Sequence, residues 1–258
     1  MNVMIQAVLK AGRALVRDFG EVENLQVSVK GPSDFAAAAG RRANQMLVAE
    51  LRKVRPAYGF LTQENGEIVG SDSGSRWVVD PLDGAVNFLH GIPLFAISVA
   101  LEREGKIVAA VVYSPIFNEL YVAERGTGAY LNDRRLRVAT RRNLAESLIG
   151  VPMALHGNHA AGGADALGRL QAEASAKRSI GSPALELAWI ASGRYDGFWH
   201  DHLEPWNTAA GTIIVREAGG FVTDLRGNDK SVDAGSIVAG NKITHEQLLS
   251  VLALIPAT

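Results

Sequence analysis

Residues 77–88 read Trp77-Val78-Val79-Asp80-Pro81-Leu82-Asp83-Gly84-Ala85-Val86-Asn87-Phe88. The apolar, β-branched start predicts a strand that stops at Asp80, because Pro81 has no N–H to give a ladder. Asp83 then returns a second carboxylate beside a turn at Gly84. Two carboxylates on one turn suit a hard cation. Mg2+ fits best, since it takes one or two carboxylates, keeps several waters and accepts substrate phosphate oxygens. A bare Asp-x-x-Asp is common at turns, so the weight rests on the whole stretch.

Outward from this stretch, Met4, Val8, Leu9, Ala11 and Leu15 recur at helical spacing until Gly20. After Gly31 and Pro32, residues Ala36 to Val54 predict a second amphipathic helix with Leu47 and Leu51 on its apolar side. Strands are predicted at Tyr58–Leu61, Trp77–Val79, Ile97–Leu101, Ile107–Tyr113 and Leu120–Val122. From Leu144 strands alternate with helices predicted at Gly163–Ala174, Pro183–Ser192, Thr208–Ala218 and Thr244–Leu254. The pattern predicts an α+β half over residues 1–145, carrying the carboxylate turn, and an α/β half over 146–258. The two form one compact unit with the site between them. The stretch His156 to Ala164, rich in Gly, Ala and His, reads as a mobile loop.

The 258 residues are 47% hydrophobic and 21% charged, with 26 basic against 27 acidic side chains. A chain of this size buries roughly 70–75% of its unfolded surface, enough for stability without staples. With no cysteine, a disulfide or zinc–thiolate cluster is excluded. Balanced charge argues against a nucleic-acid or membrane-surface binder. The run Arg134-Arg135, Arg137, Arg141-Arg142 reads as a solvated hairpin edge, because no aromatic residue interleaves it. No apolar run approaches the roughly 20 residues that span a bilayer, and a cytoplasmic, soluble protein is expected. His156 and His159 lack a third ligand nearby, whereas His200 and His202, two apart on a predicted strand, would share a face beside the site.

The stretch resembles the signature Asp-Pro-hydrophobic-Asp-Gly-Thr-x-Asn-Phe of the inositol monophosphatase family. The family's second signature has a counterpart in Trp206-Asn207-Thr208-Ala209-Ala210-Gly211 and Glu217-Ala218-Gly219-Gly220. Lys30 to Phe35, Gly126 to Leu131 and Gly181-Ser182 extend the resemblance over essentially the whole chain. It implies a layered αβαβα sandwich, usually homodimeric, that hydrolyses small phosphate monoesters with Mg2+. Asp80, Asp83 and the Leu82 carbonyl would be metal ligands, and Gly84, Ala85, Ser182 and His200 would face substrate.

Against that family pattern, the chemical positions are altered. Gln63 stands where the family has a ligand Glu, and Asn207 where it has a ligand Asp. The Thr and Asp that activate water in the family read Ala85 and Gly40, and a substrate-facing Glu reads His200. Neither Ala85 nor Gly40 can take a proton, and two of four negative charges are lost. Asp80 and Asp83 are thus expected to hold at most one weakly bound Mg2+, or none. Asn207 would also suit the start of a helix at Thr208.

Three readings follow. In the first, and favoured, one the protein is catalytically dead or severely impaired and binds a small phosphorylated ligand or a protein partner. The second is a Mg2+-dependent phosphomonoesterase working through Asp80, Asp83 and neutral oxygens. The third is a different chemistry in the inherited pocket, with Glu64 and His200 as acid and base.

Overall fold

Successive side chains of a strand point to opposite faces, and at Trp77-Val78-Val79 both faces are buried. A sheet covered on both sides needs a helical layer on each, and the structure, a computed structural model, has that arrangement. It describes residues 1–22, 32–153, 160–229, 232 and 235–253. Helices α1 (Asn2–Gly20) and α2 (Pro32–Val54) precede strands β1 (Tyr58–Thr62), β2 (Gly66–Ile68) and β3 (Asp72–Asp83). Then come α3 (Ala85–Leu89), β4 (Ala96–Arg103), β5 (Lys106–Ser114), β6 (Glu119–Glu124), β7 (Gly128–Leu131) and β8 (Arg134–Arg135). The remainder comprises β9 (Leu148–Gly150), α4 (Ala160–Glu173), β10 (Ala176–Arg178), α5 (Pro183–Ala191), β11 (Gly197–His200), α6 (Pro205–Glu217), β12 (Phe221–Thr223), β13 (Ile237–Gly240) and α7 (Lys242–Leu252).

The first sheet has the order β2-β1-β3-β4-β5-β6-β7-β8 and the second β10-β9-β11-β13-β12. Three buried clusters fill the spaces between layers. Met4, Leu15, Leu47 and Leu51 of α1 and α2 pack on Phe60, Val79 and Val99 of the first sheet. Val78, Ala100 and Val112, from that sheet's other face, meet Leu187 of α5, Ile214 of α6 and Phe198 and Ala239 of the second sheet. Trp199 and Val238, on the far face of the second sheet, meet Leu170 of α4 and Leu248 of α7. The layers run αβαβα, as the family resemblance implies.

Close packing in the middle layer is set by Gly211 of α6, where an added Cβ would fall 2.5 Å from Leu187 of α5. Glu217, in the second signature, fastens the layer to the first sheet. Its carboxylate accepts the Gly126 and Gly128 N–H groups at 2.8 Å each.

Several expectations are corrected. The strand does not stop at Asp80: after a one-residue bulge it resumes, and Asp83 pairs with Ala96. Pro81 sits in the bulge, where no ladder N–H is needed. α6 begins at Pro205 after an N-cap at Glu204, so Asn207 is the helix's third residue and not its cap. β11 ends at His200, leaving His202 off the strand. Residues 160–164, expected to be loop, lie in α4, while His156 and His159 lie outside the described residues. Arg134-Arg135 does form the exposed edge strand β8. No helix among the described residues is long and apolar enough to cross a membrane.

Candidate active site

Three residues of strand normally place two side chains on opposite faces. Here Asp80 opposes Ser98 and Asp83 opposes Ala96, so the extra residue of the bulge restores both aspartates to one face. That face is turned toward the middle helical layer. Leu82, between them, packs instead with the cluster under α1 and α2.

Each carboxylate meets the start of a helix. Asp83 Oδ2 accepts the Ser182 hydroxyl at 2.5 Å and the Ala184 N–H at 2.9 Å, at the positive end of α5. Asp80 Oδ1 accepts the Leu82 N–H at 3.0 Å, and Oδ2 accepts an Asn207 side-chain N–H at 2.9 Å. The same Asn207 side chain accepts the Glu204 N–H at 3.1 Å. Ser98 Oγ donates to the Trp206 carbonyl at 3.4 Å, which holds the start of α6 beside Asp80.

Both aspartates are buried, and burial disfavours their charged forms. It pushes Asp83 above the usual carboxylate range, against the Ser182 and Ala184 hydrogen bonds that favour the anion. Asp80 lies well above the usual carboxylate range, chiefly from burial and then from the neighbouring Asp83 charge. A third buried acid, Glu186 of α5, is pushed up to about 8 by burial. Its carboxylate accepts the Ile180 N–H at 3.3 Å.

Glu186 binds a proton on folding throughout the window from its ordinary 4.5 to about 8. Its stabilising contribution is therefore complete below about 4.5 and is lost as pH rises toward about 8. Glu186→Gln keeps the oxygen that Ile180 uses and never ionises. At pH 8.5 it is expected to be more stable than the parent by roughly 2–4 kcal/mol, and nearly equal at pH 5. Urea unfolding at the two pH values checks this, and a variant no more stable at pH 8.5 would contradict it.

Of the positions that depart from the family pattern, Gly40, Gln63 and Ala85 lie together, whereas Asn207 sits on Asp80. Gly40 of α2, Gln63 and Glu64 after β1, Leu82, and Ala85 of α3 line one recess of about 300 Å3. An added Cβ at Gly40 would lie 3.0 Å from Glu64 Oε1 and 3.9 Å from Leu82 Cβ, so a longer side chain there would reach into this recess. The Asn65 side-chain oxygen accepts the Asn44 side-chain N–H at 2.6 Å, fixing the turn that presents Gln63 and Glu64 to α2. Gly84 holds a left-handed φ of 96°, and a Cβ there would strike the Leu94 carbonyl at 2.8 Å. Only glycine allows the chain to turn so tightly into α3.

His200, half-buried at the end of β11, does not line the recess. Its Nδ1 accepts the His202 N–H at 3.1 Å. The structure therefore does not place it with Glu64 as an acid and base pair. Sequence reasoning missed Asn87, which donates to the carbonyls of Leu94 at 2.7 Å and Ile180 at 2.6 Å. Its place in the signature was the available signal, and its role is to tie α3 to the entry of α5.

Mg2+ demands near-octahedral oxygen ligands at about 2.0–2.1 Å. Both Asp80 oxygens already accept N–H donors, one of them the side-chain N–H of Asn207, the residue that stands where the family pattern has a second carboxylate. Among the described residues, no three His, Cys, Asp or Glu side chains converge. A set of two or three divalent ions does not fit these residues.

The profile of the inositol monophosphatase family matches residues 1–256. An inositol-1-monophosphatase of Mesorhizobium japonicum is 54% identical over 98% of this chain and 95% of its own. The Nus factor SuhB of Escherichia coli K12 is 39% identical over 97% and 94% of the two chains. Among solved structures, the extragenic suppressor protein suhB from Bartonella henselae superposes with a TM-score of 0.90 at 51% identity, covering 98% of this chain and 97% of that one. The inositol monophosphatase from Anabaena gives 0.88 at 29% identity, covering 99% and 96%.

Proposed function

Because the chain belongs to the inositol monophosphatase family, we infer that its departures from the family's ligand set have turned a phosphatase scaffold into a binding protein with little or no turnover. It works by holding a small ligand or a protein partner, as a cytoplasmic homodimer in keeping with the family. The observation that carries this reading is the Asn207–Asp80 hydrogen bond. Two carboxylates at that distance would repel and require a cation between them. An amide opposite a carboxylate donates a hydrogen bond instead, so this pair needs no cation to offset a second negative charge. The names Nus factor SuhB and extragenic suppressor protein, borne by two relatives, likewise do not refer to hydrolysis.

Calorimetric titration tests the electrostatic half of this reading. Asp80 and Asp83 compensate at most one Mg2+, so no more than one ion per chain is expected, with a dissociation constant of about 1 mM or weaker. Two tightly held ions would show that a ligand had been overlooked. A second reading, a slow Mg2+-dependent phosphomonoesterase, is favoured by the 54% identity to a protein named inositol-1-monophosphatase. Turnover on inositol 1-phosphate separates the two.

A further inference from the structure

The recess between α2, α3 and the turn after β1 measures about 300 Å3, at the lower end for small-molecule sites. Its walls are Ala36, Ala37, Leu82, Val86 and Leu89, and Gly40 contributes empty space. Val86 is left 65% exposed at the rim, so a hydrocarbon seated there would cover apolar surface. The polar groups in the lining are the Gln63 amide and the Glu64 carboxylate. That carboxylate has no hydrogen-bond or ion-pair partner among the described residues. No Lys, Arg or His among the described residues lines the recess.

Charge decides what can enter. A phosphate dianion would meet Glu64 with no counter-charge among the described lining residues, and the positive start of α5 is already taken by Asp83. Hydrated Mg2+ would find the Gln63 amide oxygen and the Glu64 carboxylate but would leave the apolar walls uncovered. An alkylammonium ion matches both features: its charge is compensated by Glu64, and its hydrocarbon part covers the apolar walls. We propose that this recess binds a small organic cation, an ammonium head on a hydrocarbon body, in place of a phosphate ester. The proposal rests on the non-hydrolytic reading of the same site.

Calorimetry of the full chain with n-hexylammonium chloride, without metal, should show one site of about 1 mM or tighter. The neutral isostere 1-hexanol should bind about tenfold more weakly, and inorganic phosphate should not register. Glu64→Gln should shrink the difference between the amine and the alcohol to about threefold or less. Ala37→Phe, at an exposed position of α2, should fill the recess and abolish binding of both while leaving the circular dichroism unchanged. Phosphate binding more tightly than the amine, or amine affinity indifferent to either substitution, would overturn the proposal. Turnover scored in the same preparations keeps the two readings apart. Brisk Mg2+-dependent phosphate release overturns the non-hydrolytic reading, whereas an inert protein that ignores hexylammonium overturns this proposal alone.

Discussion

Purified protein supplied with inositol 1-phosphate and millimolar Mg2+ is expected to release phosphate at least about 10³-fold more slowly than a family member with all four carboxylates. The slowing has two sources that act on one step. Gly40 and Ala85 have no group to orient or deprotonate a water, a loss that by itself costs roughly 10²–10⁴ in rate. Gln63 and Asn207 remove ligand charge, and Asn207 presents a donor to Asp80 where a cation would sit. Because the same water would need both its base and its metal, the losses do not simply multiply. Phosphate release assayed beside an intact relative decides the matter, and comparable rates would end the binding-protein reading.

Restoring the four positions together should return Mg2+-dependent phosphatase activity by at least about tenfold over the parent. In the variant carrying Gly40→Asp, Gln63→Glu, Ala85→Thr and Asn207→Asp, each single change should do little. Stability should move the other way without metal. Asn207→Asp replaces the N–H donor 2.9 Å from Asp80 by a second carboxylate, and Gly40→Asp brings another negative group against Glu64, whose oxygen lies 3.0 Å from the new Cβ. A loss of about 2 kcal/mol or more is expected in chelator, recovered as Mg2+ is added, since binding to the folded state alone stabilises by mass action. Thermal unfolding with and without Mg2+ reads this directly. A folded quadruple variant that neither gains stability from Mg2+ nor releases phosphate would show that the recess has been reshaped beyond these four side chains.

Element types and the strand-heavy order were readable because apolar periodicity is local. Apolar and β-branched runs marked β3, β4 and β5, and helical spacing marked α1 and α2. The signature residues Asp80 to Phe88 were legible as a string, and with them the altered positions Gly40, Gln63, Ala85 and Asn207. Boundaries that depend on capping were not. Glu204 caps α6 only because Asn207 folds back to its N–H, a contact settled by how the helix docks on β4.

By itself the sequence carried the family resemblance, which implied the αβαβα layering and marked Gly40, Gln63, Ala85, His200 and Asn207 as departures from the family pattern. Only the tertiary structure decided what those residues do instead. The bulge at Pro81 turns both aspartates into the middle layer, where helix starts and an amide satisfy them. Leu82 turns the other way and, with the nearby Ala85 and with Gly40 and Glu64 from earlier parts of the chain, closes a recess with apolar walls. Partners brought together across 127 residues, as Asp80 and Asn207 are, leave no trace in local spacing. The pleat of one strand and the docking of two helices fix them.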